Sequence, residues 1–262
     1  MCLGAHMKLV IKLGSASLAQ DGGLRKFGTA VRQLLAEGHQ VAIVHGRMIP
    51  LADSAATGHH SAHADSCSQT GDAALMEIGA CINKKLVALL GRTGVPAIGL
   101  CGADGGIVRA RKKGHTSSGP HDSFETALVD PFWLETIARN GAVPIIANIV
   151  LTPGHSYACV CADQLASTCA VSWHADALIF LTYLQGIRND EGSVMRWLES
   201  EQVTSLIESS PSRPVLSKLT ASREALKRGV HRVRIFPMCD VGSLAVFYNE
   251  RIDCGTEIVE SI

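Results

Sequence analysis

The sequence predicts an α/β fold, a three-layer α/β/α sandwich around a mostly parallel sheet. Three observations carry this reading. The apolar runs are short, β-branched and continuous instead of alternating, as in strands buried on both faces. Segments of helical period separate them, the alternation that parallel sheets require. A chain of 262 residues with 47% hydrophobic content is also long enough to bury a large core.

In chain order, Leu9 to Leu13 reads as the first strand, and Leu24, Phe27, Val31, Leu34 and Leu35 form one face of a helix that stops near Gly38. Val41 to Val44 is the second strand; Leu75, Ile78, Ile82, Leu86 and Leu89 line a helix that stops near Gly91. The strand Pro96 to Leu100 runs into Gly102-Ala103-Asp104-Gly105-Gly106, a tight turn that lacks the lysine and spacing of a phosphate-binding P-loop. Asp130 caps a helix that has Pro131 at its first position and ends at Asn140-Gly141. Val143 to Ile149, Ala177 to Leu181 and Val233 to Phe236 are further strands, and Leu219, Ala225 and Leu226 lie on a last long helix closed by Gly229. His59 to Gln69 and Gly114 to Ser123 are irregular and read as loops or hairpins on the binding edge.

Lysine plus arginine (24) balances aspartate plus glutamate (24), so no overall field draws the chain to nucleic acid or to an anionic membrane. Apolar stretches such as Ala142 to Val150 fall far short of the roughly 18–20 residues of a membrane span. Nine cysteines, several within apolar segments, suit reduced thiols used as small hydrophobes, which points to the cytoplasm. Residues 1–6 read as an N-terminal extension or a cloning remnant, since Met7 directly precedes the first strand. His59, His60, His63, Asp65 and Cys67 are all metal-ligand types, but no second cluster accompanies them; they read as a polar loop, and no metal site is expected.

Lys12 closes a strand that reads as buried, where lysine is rare unless paired, and Gly14-Ser15 follow at the carboxyl end, the edge on which open parallel sheets bind ligands. Two separated lysines can flank an anion that grows more negative as it reacts, with a carboxylate holding both ammonium groups. Lys12, Asp163 and Lys218 fit those roles. Asp163 before Gln164-Leu165-Ala166 equally reads as a helix cap, and Lys218 as a solvated helix residue.

The order of motifs resembles the amino-acid kinase family, most closely its acetylglutamate kinase branch. It rests on Val10-Ile11-Lys12-Leu13-Gly14, Val41 to Gly46, Ile82 to Leu90, Gly99 to Gly106 with Arg109 to Lys112, Ala175 to Thr182, Gly229 to Val233 and the closing Gly255 to Val259. The resemblance implies transfer of the ATP γ-phosphate, with Mg2+, to the side-chain carboxylate of N-acetyl-L-glutamate or a related acylated amino acid, in arginine biosynthesis. It implies Lys12 and Lys218 as phosphoryl-stabilising residues oriented by Asp163, an acceptor lobe over residues 7–174, a nucleotide lobe over 175–262, small-molecule substrates and a homodimer. Gly14, Ser15, Thr182 and Tyr183 fall on the nucleotide side; Gly46, Arg47, Met48, Gln69 and Cys159 fall on the acceptor side.

The site departs from the family's pattern while the core stretches keep it. Ser15 stands for a second glycine, Arg47-Met48 for a glycine run, Gln69 for an arginine that grips the substrate carboxylate, Cys159 and Cys161 for two asparagines, Tyr183 for an aspartate, and Arg213-Pro214 for a glycine pair. These changes leave a second reading open, that of a catalytically impaired protein keeping the fold for binding or regulation.

Overall fold

Side-chain alternation along the central strand decides how the layers assemble. A computed structural model describes residues 6–14, 21–47, 71–113, 124–209, 212–238, 244 and 254–261. Residues 1–5 and the irregular stretches 59–69 and 114–123 lie outside the described residues. In strand β1 (Lys8–Leu13), Leu9, Ile11 and Leu13 turn to one face and Lys8, Val10 and Lys12 to the other. The first set packs with Phe27, Val31 and Leu34 of helix α1 (Asp21–Ala36), with Val41 and Ile43 of β2 (Gln40–His45), and with Leu86 and Leu90 of α2 (residues 72–92). Each such side chain, taken fully out of water, contributes about 1.5–3 kcal/mol.

The chain continues through β3 (Ala97–Cys101), a turn at Asp104–Gly106, β4 (Val108–Lys112), β5 (Phe124–Val129), α3 (Phe132–Arg139), β6 (Val143–Ala147), β7 (Ile149–Leu151) and β8 (Tyr157–Cys159). Then follow α4 (Ala162–Ser172), β9 (Ala177–Thr182), β10 (Trp197–Glu199), α5 (Ser200–Ser209), α6 (Arg213–Lys227), β11 (Arg232–Pro237) and β12 (Thr256–Val259). Eight strands form one sheet in the order β10-β12-β11-β9-β1-β2-β6-β3. All its pairings are parallel except β11 with β12. Helices α3, α4 and α6 cover the face to which Val10, Val44, Phe180 and Ile235 turn, completing the three layers. β5-β4-β7-β8 make a second, smaller sheet.

Every strand read from the apolar runs is present, with one division. The run Val143 to Ile149 is two strands, because Asn148 leaves the ladder to hydrogen-bond Val160. Asp130 accepts from the Phe132 N–H at 3.0 Å, but the capping position falls on Pro131, one residue later than the sequence suggests, and the helix starts at Phe132. Within α2, Met76–Ile82 is wound as a π-helix, which no sequence period announced. β4 and β5 pair antiparallel, and Arg109, Arg111 and Lys112 of β4 are exposed.

Candidate active site

Parallel pairing brings the ends of β1, β2 and β9 to one edge of the sheet, with Lys12 in register with Val44 and Phe180. Its neighbours Ile11 and Leu13 are in the apolar layer, so Lys12 must project to the opposite side, where α4 and α6 pack. Helix α4 begins there with Cys161 in the capping position, and Asp163 in its first turn sits where the helix dipole favours an anion. Asp163 is therefore not the cap of its helix. Lys218 lies within α6, more than one turn beyond the start at Arg213, and is buried instead of solvated.

These three side chains meet. The Lys12 Nζ lies 2.6 Å from one oxygen of Asp163 and the Lys218 Nζ 3.2 Å from the other, with side-chain exposures of 8%, 8% and 2% for Lys12, Lys218 and Asp163. Burial alone would raise the Asp163 carboxyl; the charges of Lys12 and then Lys218, with hydrogen bonds from Lys12 and Ser217, outweigh it and hold the group well below the usual carboxylate range. The trio thus carries two formal positive charges and one negative in a place nearly without water. An anion entering beside it meets strongly felt, preorganised cations. The Ser217 hydroxyl also lies 3.4 Å from the Cys161 thiol, tying the start of α4 to α6.

His45, at the end of β2, is wholly buried, and its imidazole is pushed down to about 4, chiefly by desolvation and also by the charge of Lys12. Its Nε2 faces the Asn83 Nδ2 at 3.0 Å and its Nδ1 faces the Gly46 carbonyl at 3.2 Å, so the proton of the neutral ring sits on Nδ1. Asn83 also donates to the Ile145 carbonyl at 3.1 Å, locking β2, α2 and β6 together.

The remaining predicted residues divide. The Gly14 N–H donates to the Leu181 carbonyl at 2.8 Å, closing β1 against β9. Gly46 lies so close to α4 that a Cβ would stand 3.1 Å from that of Ala162. Thr182 is buried at the end of β9, and Tyr183 beside it is exposed. Arg47 turns to Glu77 of α2 at 2.9 Å, and Cys159 packs with Ile78, Ala147 and Ile149. Ser15, Met48, Gln69 and the histidine-rich loop lie outside the described residues. Two site residues escaped the sequence reading. Ser217 had only its place beside Lys218 to mark it, whereas Asn148 had a signal, being the one amide within an apolar run.

Among the described residues, no group of three or more His, Cys, Asp or Glu side chains could hold a metal, and no helix is long and apolar enough to cross a membrane. Cys81, Cys101 and Cys169 are free thiols; burial pushes Cys169 up to about 12, making it an inert hydrophobe.

Residues 7–237 match the amino acid kinase family. The chain is 41% identical to an acetylglutamate kinase of Acidobacterium capsulatum over 97% of its own length and 100% of that protein's. It is 34% identical to an acetylglutamate kinase of Koribacter versatilis over 98% and 100%. Among solved structures, N-acetylglutamate synthase from Neisseria gonorrhoeae superposes with a TM-score of 0.78 at 23% identity, over 98% of this chain, which spans 60% of that protein. Carbamate kinase from Giardia lamblia superposes with a TM-score of 0.72 at 12% identity, over 98% and 99%. With that family matched over most of its length and its fold shared by both structures, this chain belongs to the amino acid kinase family.

Proposed function

We propose that this chain is an acetylglutamate kinase-like phosphotransferase of arginine biosynthesis, moving the ATP γ-phosphate to the side-chain carboxylate of N-acetyl-L-glutamate or a related acylated amino acid. Its full-length relatives carry that name. The observation that carries the reading is the single buried carboxylate of Asp163 holding two lysine ammonium groups, one on each oxygen.

In the reaction, an oxygen of the acceptor carboxylate bonds to the γ-phosphorus while the bond from that phosphorus to the bridging oxygen breaks, leaving ADP and an acyl phosphate. Charge spreads over the three equatorial oxygens, and Lys12 and Lys218 meet it. Asp163 keeps both lysines in place. No general base is needed, since a carboxylate with an ordinary pKa of about 4.3 is ionised at neutral pH. Gly14, Ser15, Thr182 and Tyr183 serve the nucleotide side, and Gly46, Arg47, Met48, Gln69 and Cys159 the acceptor side. The acceptor lobe spans residues 7–174 and the nucleotide lobe 175–262. Mg2+ would enter with the nucleotide's phosphates, which it accompanies in kinases generally. The half-exposed edge strand β3, with Ile98 at 45% exposure, supports a homodimer, and the free thiols support a cytoplasmic setting.

The test is ADP release, and trapping of the acyl phosphate by hydroxylamine, with ATP, Mg2+ and a panel of N-acylated acidic amino acids. Release that Lys12→Ala abolishes is expected; none above that variant contradicts the proposal. Thermal stabilisation by nucleotide without turnover would mark the rival, a binding protein that keeps the fold.

A further inference from the structure

Asn83 directly follows the π-wound turn Met76–Ile82 of α2, a winding that recurs at functional sites, and is wholly buried. Its Nδ2 faces the Ile145 carbonyl at 3.1 Å, the Leu100 carbonyl at 3.3 Å and the His45 Nε2 at 3.0 Å. Only an N–H can face two carbonyls in this way, so the amide orientation is fixed and Nε2 must accept. The Oδ1 rests against β3, where a Cβ on Gly99 would stand 2.0 Å from it. One carboxamide thus spans β2, β3 and β6 and sets the tautomer of His45.

The ring passes this restraint on. With Nε2 accepting, the Nδ1–H donates to the Gly46 carbonyl at 3.2 Å. His45 turns to the face of Val41 and Ile43, on which α1 and α2 pack, whereas Lys12 and Asp163 lie on the opposite face with α4 and α6. A trans peptide points its C=O and N–H in opposite directions, so a Gly46 carbonyl drawn to His45 turns the Arg47 N–H to the lysine side. Among the described residues no backbone carbonyl accepts from that N–H. Gly46 also abuts α4, since a Cβ there would stand 3.1 Å from that of Ala162, the residue before Asp163. A backbone donor held in this way needs no reorganisation when negative charge develops in front of it.

Resting on the kinase reading above, we infer that Asn83 is a positioning residue: through the His45 ring it fixes the Gly46–Arg47 peptide so that the Arg47 N–H donates to the anion in transfer from the side of Lys12.

The test measures kcat and KM by ADP release with ATP, Mg2+ and N-acetyl-L-glutamate on the whole protein and on Asn83→Leu, with a thermal melt to establish folding. Loss of aim at one donor should lower kcat about 10- to 100-fold while both KM values stay within about threefold. Gly99→Ala, whose new Cβ meets the same carboxamide from β3, should reproduce the loss. A folded Asn83→Leu protein with wild-type kcat overturns the inference and leaves Asn83 a structural link only. The ring nitrogens give a readout that needs no variant. With 15N-labelled histidine, NMR of the wild type at neutral pH should find the His45 proton on Nδ1 and none on Nε2; a proton on Nε2 overturns the inference even if neither variant folds. Wild-type turnover matched by Asn83→Leu removes the role of Asn83 alone. No wild-type turnover removes the kinase reading and this inference with it.

Discussion

Strand β1 carries two lysines on one face, Lys8 at its start and Lys12 near its end, and they sit in opposite kinds of surroundings. Lys8 pairs with Glu135 at 2.8 Å and lies 5.3 Å from the ring of Trp173, which itself donates to Glu135 at 2.6 Å. Arg139 binds the other oxygen of Glu135 and Asp176 accepts the Lys8 N–H, so two cations meet two anions in a group open to solvent. Lys12 instead shares one buried carboxylate with Lys218, leaving a surplus of positive charge at the sheet's carboxyl edge. A balanced, wet cluster serves to fasten elements together. An unbalanced, dry cluster is costly to build and suits an anion that arrives later.

Breaking each cluster should separate these roles. The largest effect is expected for Asp163→Ala, which strands two ammonium groups in the interior; denaturant unfolding should show about 3–5 kcal/mol lost, together with activity. A loss no greater than that of Glu135→Ala would erase the contrast. Next, Lys218→Met should lower kcat by about 10²- to 10³-fold with KM much less affected, and the double change with Lys12→Met should be far less than additive. Steady-state ADP release reads both.

The pH dependence of stability sharpens the comparison further. His45 is buried neutral, with its folded value lowered from 6.5 to about 4. Its contribution is present above pH 6.5 and lost as pH falls towards 4, by up to about 3 kcal/mol. Thermal melts from pH 7 to 4 should show this slope in the wild type and a shallower one in His45→Leu. Glu135 is lowered chiefly by its hydrogen bond from Lys8, so its contribution holds above the ordinary value of 4.5 and fades below it. The smallest effect is expected for Glu135→Gln, about 1 kcal/mol or less because the pair is part-exposed, shrinking in added salt and leaving kcat unchanged.

The inner strands were legible because burial on both faces writes itself as a continuous apolar run, as in Ala177 to Leu181. The small sheet was not. Val108–Lys112 reads VRARK, polar on its exposed side, and three-residue strands such as Tyr157–Cys159 carry too little pattern. At the site, Lys12 stood out as a charge at the end of a buried strand. Asp163 could not be told from a helix cap, because only two positions separate it from the capping Cys161 and only the fold fixes where the helix begins. Lys218 gave no local sign of burial; its partner is 55 residues away in sequence.

The most direct test of the central claim sets the two lysines of β1 side by side. ADP release with saturating ATP, Mg2+ and N-acetyl-L-glutamate should fall by about 10²-fold or more in Lys12→Met and stay within about twofold of wild type in Lys8→Met, whose change should appear in thermal stability instead. Equal losses of rate in the two variants, or a Lys12→Met protein that turns over as the wild type does, would contradict it.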